Sequence, residues 1–550
     1  MDDNKNLTPQ TEEQETSSVE TATPCFEPYQ PRPLFELTKS DTAFSLCAVI
    51  ISIFTMIFGI FGGFAFGYML SVILMISLFI VYFAKSSKAH FFPIICGILS
   101  LGNSATFICS SNGSVRFFSV VVSFLLALVC FDGIINGTSK GNSGTLGVFY
   151  SAFSSIANIA ATVKSLFSNG DNGKKTIAKT LIGILCAIPV LIIVIPLLIS
   201  SDYAFQGLMS NIFENTFANI IKAIFGILLS IFVISYGFSL KKDRVSKMKS
   251  VNIAGLENAY TISFLSAISV CYLLYLFSQL AYFFSAFRGF LPFDHMTYSE
   301  YARKGFFEMC VIAVINLVIV FSALLFSKKQ NGKVCHAVKA ITTFISAFTM
   351  IIIATAISKM VLYINEYGMT VLRLTTSAFM LFLAVIFISV ILRIYTAKIN
   401  IIKTALTTAG CILLVLGTAN VDAICAKYNY KSFMKNRLET IDVDALYSLG
   451  DEGIPYIVKL ATCDNPGAAR EAQKHLAQAY LYDYFDNMEN AENFTTEDLK
   501  QNRKTKGFEH FNLPEAKAYH SLYEFIEQNP TFSSMCRESI YGASYFENLY

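Results

Sequence analysis

Ala43 to Ala84 is a run of 42 residues without an acid, a lysine or an arginine. No water-soluble fold hides such a run easily, and it is about twice the length that spans a bilayer as a helix. It therefore reads as two spans, divided at Gly62-Gly63. Gly59, Gly63 and Gly67 stand four apart. That spacing suits a close helix contact, but a tight hairpin turn explains it more simply. Composition agrees with a bilayer as solvent: 54% of residues are hydrophobic and 15% charged, and mean hydropathy is +0.52. Phe 50 against Trp 0 means that any interfacial aromatic belt is built from Phe and Tyr.

Further apolar runs follow at Phe91–Cys109, Phe117–Ile135, Thr180–Ile199, Ala218–Leu240, Ile262–Phe287, Phe306–Ser327, Ala340–Tyr363, Leu374–Ile394 and Ile401–Ala419. The expectation is an all-α fold, a polytopic transmembrane helix bundle of about 11 spans with a small helical extracytoplasmic C-terminal domain. Residues 1–40 form a disordered acidic cytoplasmic tail, 41–135 a four-span N-terminal bundle, and 136–179 a cytoplasmic loop. Residues 180–419 form a seven-span core bundle and 420–550 a soluble helical domain. Pro189 and Pro196 should kink the fifth span. The tail is no signal peptide, because no basic end leads directly into an apolar core.

Within the loop, Phe149, Phe153, Ile156, Ala160, Val163 and Phe167 recur at helical steps. Ser151, Ser154, Ser155, Asn158, Thr162 and Ser165 occupy the opposite face. This is an amphipathic helix, lying on the membrane surface or packed on the bundle.

Charge sets the orientation. Residues 1–40 carry 8 acids and 3 bases, 41–420 carry 11 and 26, and 421–550 carry 20 and 13. With the N-terminus in the cytoplasm, the inner connections hold 19 of the middle region's bases and the outer ones 7. The positive-inside rule favours that arrangement, which leaves the C-terminal domain outside. Bases scattered between apolar spans do not make a nucleic-acid surface, so the expected partners are the lipid bilayer and a membrane protein.

Asp294–Glu308 holds a dense mix of acids, bases and tyrosines between two spans. Thr297 and Glu300 have capping-box spacing, so the eighth span should begin near Tyr298. Glu300, Tyr301, Arg303 and Glu308 then sit at or just below the outer interface. The connection Lys359–Arg373 lies on the same face, with Lys359 and Tyr363 one helical turn apart, then Tyr367, Gly368 at the turn, and Arg373. With Gln279 and Tyr282, these residues form the candidate outer-face binding cluster: Glu300, Tyr301, Arg303, Glu308, Lys359, Tyr363, Tyr367 and Arg373. Interfacial anchoring by Tyr, Lys and Arg is the plainer alternative.

Three stretches carry a resemblance. Tyr298–Glu308, Met360–Arg373 and Asn420–Asn429, with a later motif at Gly507–Ala518, resemble the recurring motifs of a bacterial membrane family known as domain of unknown function 4173. The resemblance covers roughly residues 180–525 and implies a bacterial cytoplasmic membrane protein. It implies no activity, since that family is uncharacterised.

Chemistry-bearing motifs are sparse. Gly173-Lys174-Lys175-Thr176 lacks the first Gly of a phosphate loop, and Lys175 stands at its Ser/Thr position. No GxSxG, HExxH or CxxC occurs. Eight of the 13 Cys lie in apolar runs, where they act as small hydrophobes. Glu471/His475 and His520/Glu524 are four apart but lack a third ligand, so they read as solvated pairs. No catalytic residue, metal or cofactor is expected. The leading expectation is a non-enzymatic sensor, regulatory or scaffold component. A transporter or flippase-like carrier is the second, resting on Asn316, Glu308 and the double-proline span. An enzyme acting on a lipid-linked substrate at the outer surface is the third.

Overall fold

The computed structural model describes residues 37–86, 91–136, 142–168, 190, 194, 216–242, 256–288, 306–328, 334–396, 399–486, 510–530 and 532. Among them the chain is helical, with a lone bridge between Leu256 and Ser327 as its only β pairing. Ten helical stretches are long and apolar enough to cross a membrane. This is a polytopic helical bundle. The span expected over 180–199 lies outside the described residues, as do the 1–36 tail and Asp294–Gly305.

Helix α1 (Lys39–Phe54) widens into a π-helical stretch, Thr55–Ile60, and turns back into α2 (Phe66–Phe83). Gly63 takes a positive φ of 81° in that turn, so the glycines do serve the hairpin. Then come α3 (Phe91–Cys109), α4 (Gly113–Asn136), α5 (Asn142–Ile156), α6 (Ile159–Ser168) and α7 (Thr216–Lys241). Next are α8 (Asn258–Arg288), α9 (Phe306–Phe326), α10 (His336–Tyr367), α11 (Val371–Tyr395) and α12 (Ile401–Thr418).

The spans fall into two halves. Helices α1–α4 and α7 form one, around Phe44, Phe79, Phe83, Leu126 and Phe238. Helices α8–α11 form the other, around Ile345, Phe348, Ile353 and Phe387. Helix α12 follows the second half in sequence but packs on α3 and α4 of the first, and touches α11 on its other side. Small residues permit this. A Cβ at Gly417 would lie 2.1 Å from Thr106 Cγ2, and Asn103 Nδ2 donates to the Gly410 carbonyl at 3.0 Å. Helices α1 and α7 cross just as closely, since a Cβ at Gly226 would sit 2.5 Å from Ile53 Cα. In lipid, helix association depends on such close packing and on interhelical hydrogen bonds.

Contacts at the helix ends define two ends of the bundle. At the first, Asp41 meets Lys241 and Lys242, Lys403 lies over the Phe92 ring, and Thr343 meets Tyr395. We call this the basic end, because Lys39, Lys85, Lys328, Lys339 and Arg393 also fall at helix termini there. At the second, the α1–α2, α3–α4 and α10–α11 turns meet the C-terminal helices. We call it the domain end. Helix α4 finishes at the basic end and α7 starts at the domain end.

Helices α5 and α6 both pack on α7, and α5 also packs on α4. Their hydroxyl face is the buried one: Ser151, Ser155, Asn158, Thr162 and Ser165 are all buried, whereas Phe153 and Ile156 are exposed. Asn158 Nδ2 donates to Ser239 Oγ at 2.9 Å and Ser235 Oγ donates to the Ser155 carbonyl at 2.8 Å. The partner face on α7 is itself hydroxyl-rich, so the polar side turns inward and the apolar side outward, the pattern suited to a lipid surround.

The C-terminal helices are α13 (Val421–Met434), α14 (Val443–Tyr447), a 3-10 turn (Gly450–Glu452), α15 (Ile454–Ala461), α16 (Pro466–Asp486) and α17 (Leu513–Gln528). They share a core of Leu446, Ile457, Leu460, Leu476, Leu522 and Ile526. Between Val443 and Ala461 the chain forms two helices and not one. Gly450 has φ +67°, and Pro455 stands in the first turn of α15, where proline is tolerated but cannot continue a preceding helix.

Candidate functional site

The densest polar constellation lies where the domain end of the bundle meets the C-terminal helices. The hub is Asn420, between the last span and α13. Its φ of +60° is rare for a residue other than glycine, and its side chain uses all of its capacity in holding that bend. Oδ1 accepts from Ala423 N at 3.1 Å, capping α13. Nδ2 donates to the Cys109 carbonyl at 2.7 Å and to Glu452 Oε1 at 3.1 Å.

Glu452 reaches in from the 3-10 turn and is only 4% exposed. Its Oε1 also accepts from Ser111 N at 2.9 Å, in the α3–α4 turn. Its Oε2 is buried with no hydrogen-bond partner, and so is Ser111 Oγ. Asp422, in the first turn of α13, is 5% exposed. Its Oδ1 accepts from Asn112 Nδ2 at 3.2 Å. Burial, reinforced by the Glu452 charge and opposed by the Asn112 hydrogen bond, pushes the Asp422 carboxyl up to about 6. Two buried carboxylates thus draw on one three-residue turn. The nearby cation, Arg116 at the start of α4, donates instead to the Ser110 and Phe107 carbonyls at 2.7 and 3.2 Å.

Two more turns are held by the same helices. Asn429 of α13 takes the Met369 N–H at 2.7 Å and gives Nδ2 to the Met369 carbonyl at 2.8 Å. This pairing clamps the α10–α11 turn, where Gly368 adopts φ +77°. The α1–α2 turn meets the start of α17 through Phe66 N–H to the Phe511 carbonyl, 3.3 Å.

The residues expected to form an outer-face cluster are placed as follows. Glu300, Tyr301 and Arg303 lie outside the described residues. Glu308 is exposed in the first turn of α9. Lys359 is buried within α10. Tyr363 and Tyr367 pack edge to face, 5.2 Å apart. Arg373 lies over the Tyr363 ring at 4.1 Å and donates to the Tyr367 and Gly368 carbonyls. The Arg373–Tyr363–Tyr367 group therefore closes the α10–α11 turn. In the C-terminal helices, His475 does not pair with Glu471. Its Nε2 meets Asp444 Oδ1 at 2.9 Å and its ring stacks on Tyr447. His520 and Glu524 do face each other, at 4.0 Å on the surface.

Asp422 and Glu452 were missed by sequence reasoning because acids in a polar stretch look solvated. The one available signal was Asn420-Val-Asp immediately after a span, a cap with an acid in the first turn.

The family model that matches is described as Domain of unknown function (DUF4153), over residues 33–460. No curated protein and no solved structure matches. This replaces the resemblance to domain of unknown function 4173. The match takes in the first four spans, which that resemblance left out, and stops short of Gly507–Ala518. Of the quoted motifs, Met360–Arg373 sits at the α10–α11 hairpin turn and Asn420–Asn429 at the start of α13. There Tyr, Arg, Lys and Asn are selected by position alone, so short stretches of that kind are alike across unrelated membrane chains.

Proposed function

We propose, from the premise that this chain belongs to the DUF4153 family, that it is a non-enzymatic sensor, regulatory or scaffold component of the membrane. In this reading the C-terminal helices receive a signal or partner and pass it to the spans. One observation carries the proposal. Turns from both halves of the bundle, at Ser111–Asn112 and at Met369, are hydrogen-bonded by a single group of helices. A displacement of α13 must therefore be felt by both halves.

The sidedness proposed is an N-terminus in the cytoplasm of a bacterial cell and C-terminal helices outside. It is supported by the greater number of Lys and Arg at the basic end, against Arg116, Lys222, Lys359 and Arg373 toward the domain end. A chain keeping Cys463 as its only thiol tests it. A membrane-impermeant maleimide should label intact cells, and labelling only after permeabilisation overturns the orientation. Coupling is tested by Asn429→Ala. Backbone exchange at residues 365–370 should accelerate together with that of α13, and unchanged exchange there refutes a coupled turn.

A carrier is the second reading. It is favoured by polar groups buried inside spans, namely Lys359 and the Asn316 amide, which donates to Thr349 Oγ1 at 2.9 Å and accepts from the Tyr272 hydroxyl. Uptake or lipid translocation by purified protein in vesicles, lost on Asn316→Leu, would establish it in place of the first.

A further inference from the structure

We propose that Asp422 takes up a proton beside the buried Glu452 carboxyl, and that its gain or loss sets how firmly the C-terminal helices are seated on the bundle. The geometry asks for such a proton. Two carboxyl groups, each at least nine-tenths buried, meet the same Ser111-Asn112 turn. With both ionised, they have three donors in all: Ser111 N–H, Asn420 Nδ2 and Asn112 Nδ2. Glu452 Oε2 is left buried and bare, an arrangement that is costly for a charged oxygen. One proton taken from solvent removes a charge and supplies the O–H donor the cluster lacks, as when two carboxylates share a site.

The surrounding charges do not replace it. Arg116 faces Glu452, Asp451 and Glu515, but its described hydrogen bonds go to backbone carbonyls. From α17, Lys517 acts on Cys109, and from α11, Arg373 acts on Cys425, one turn beyond Asp422.

The direction follows from the Asp422 carboxyl, which ordinarily titrates at 3.8 and is raised to about 6 when seated. The protonated form favours seating. Seating is at full strength below pH 3.8, and weakens as pH rises through about 6. Between pH 5 and pH 7.5 this amounts to about a tenfold loss of seating equilibrium.

The inference rests on the docked arrangement behind the proposed function, but its readout is separate. The full chain in detergent is followed by hydrogen exchange, corrected for intrinsic rate, at the Ser111 amide that Glu452 accepts. Protection should be about tenfold higher at pH 5 than at pH 7.5 in the wild type. In Asp422→Asn it should stay at the acid level at both values, and in Glu452→Gln the transition should move to lower pH. Equal wild-type protection at the two pH values overturns the proposal, as does a tenfold change that survives Asp422→Asn. Protection that follows added calcium or chelator rather than pH also overturns it, because the pair would then hold a cation. The Asn429→Ala and Cys463 experiments contain no pH step, so either idea can fail alone.

Discussion

Both ends of the bundle bury carboxylates, and they treat them differently. At the basic end, Asp41 is fully buried and every approach to it is filled. Thr38 N–H donates at 2.9 Å and the Tyr82 hydroxyl at 2.8 Å, while Lys241 and Lys242 lie 3.3 and 3.1 Å away. Lys241 also covers the Tyr82 ring at 3.8 Å, and Phe44 stacks beneath it. At the domain end, Asp422 and Glu452 divide three donors and leave an oxygen bare. A buried charge with all its partners is a rivet; one short of partners has a state it would rather be in. The first fixes α1, α2 and α7 together, and the second can answer to its surroundings.

Substitutions should separate the two ends by sign as well as size. Asp41→Ala strands two lysines and a buried tyrosine hydroxyl. It should lower stability by about 3 kcal/mol or more, visible as a large drop in the thermal midpoint of the detergent-solubilised protein. Asn429→Ala removes both hydrogen bonds to Met369 and should cost about 2 kcal/mol, seen in an exchange experiment at the α10–α11 turn and in α13 together. Asp422→Asn should act in the opposite sense at pH 7.5. It should stabilise by on the order of 1 kcal/mol, with the gain vanishing in acid; a loss like that of Asp41→Ala would erase the distinction between the ends. His520→Ala, at a surface pair, should change the midpoint by less than about 0.5 kcal/mol of equivalent stability.

Hydropathy made the spans readable. The bilayer demands long apolar helices, and Ala43–Ala84 could meet that demand only as a hairpin. It says little about which helices pair. That α12 joins α3 and α4 depends on Gly410 and Gly417, two residues with no hydropathic mark. The serine and threonine face of α5 and α6 was visible as a stripe, but a pattern records contrast and not which neighbour each face meets. Asp41 sits two residues ahead of Ala43, at the border of the tail, where nothing in the sequence marks it as buried. Arg373, Tyr363 and Tyr367 were visible as a group, and they pack on one another at the α10–α11 turn. The acids of the junction were hidden, since Glu452 owes its burial to a turn more than 300 residues away in sequence at Ser111.

The placement of α12 bears on how the chain is made. Helices α1 to α4 emerge and insert first, yet the surface of α3 and α4 that receives Gly410 and Gly417 has no partner until the last span leaves the ribosome. Until then Asn103, buried in the finished bundle, cannot give its amide hydrogen to Gly410. The early hairpins must wait in the bilayer without that contact, through the insertion of the entire second half. Cutting the chain between α7 and α8 would therefore not yield two self-sufficient pieces. The N-terminal fragment would lack its closing helix, and the C-terminal one would carry it with nothing to close.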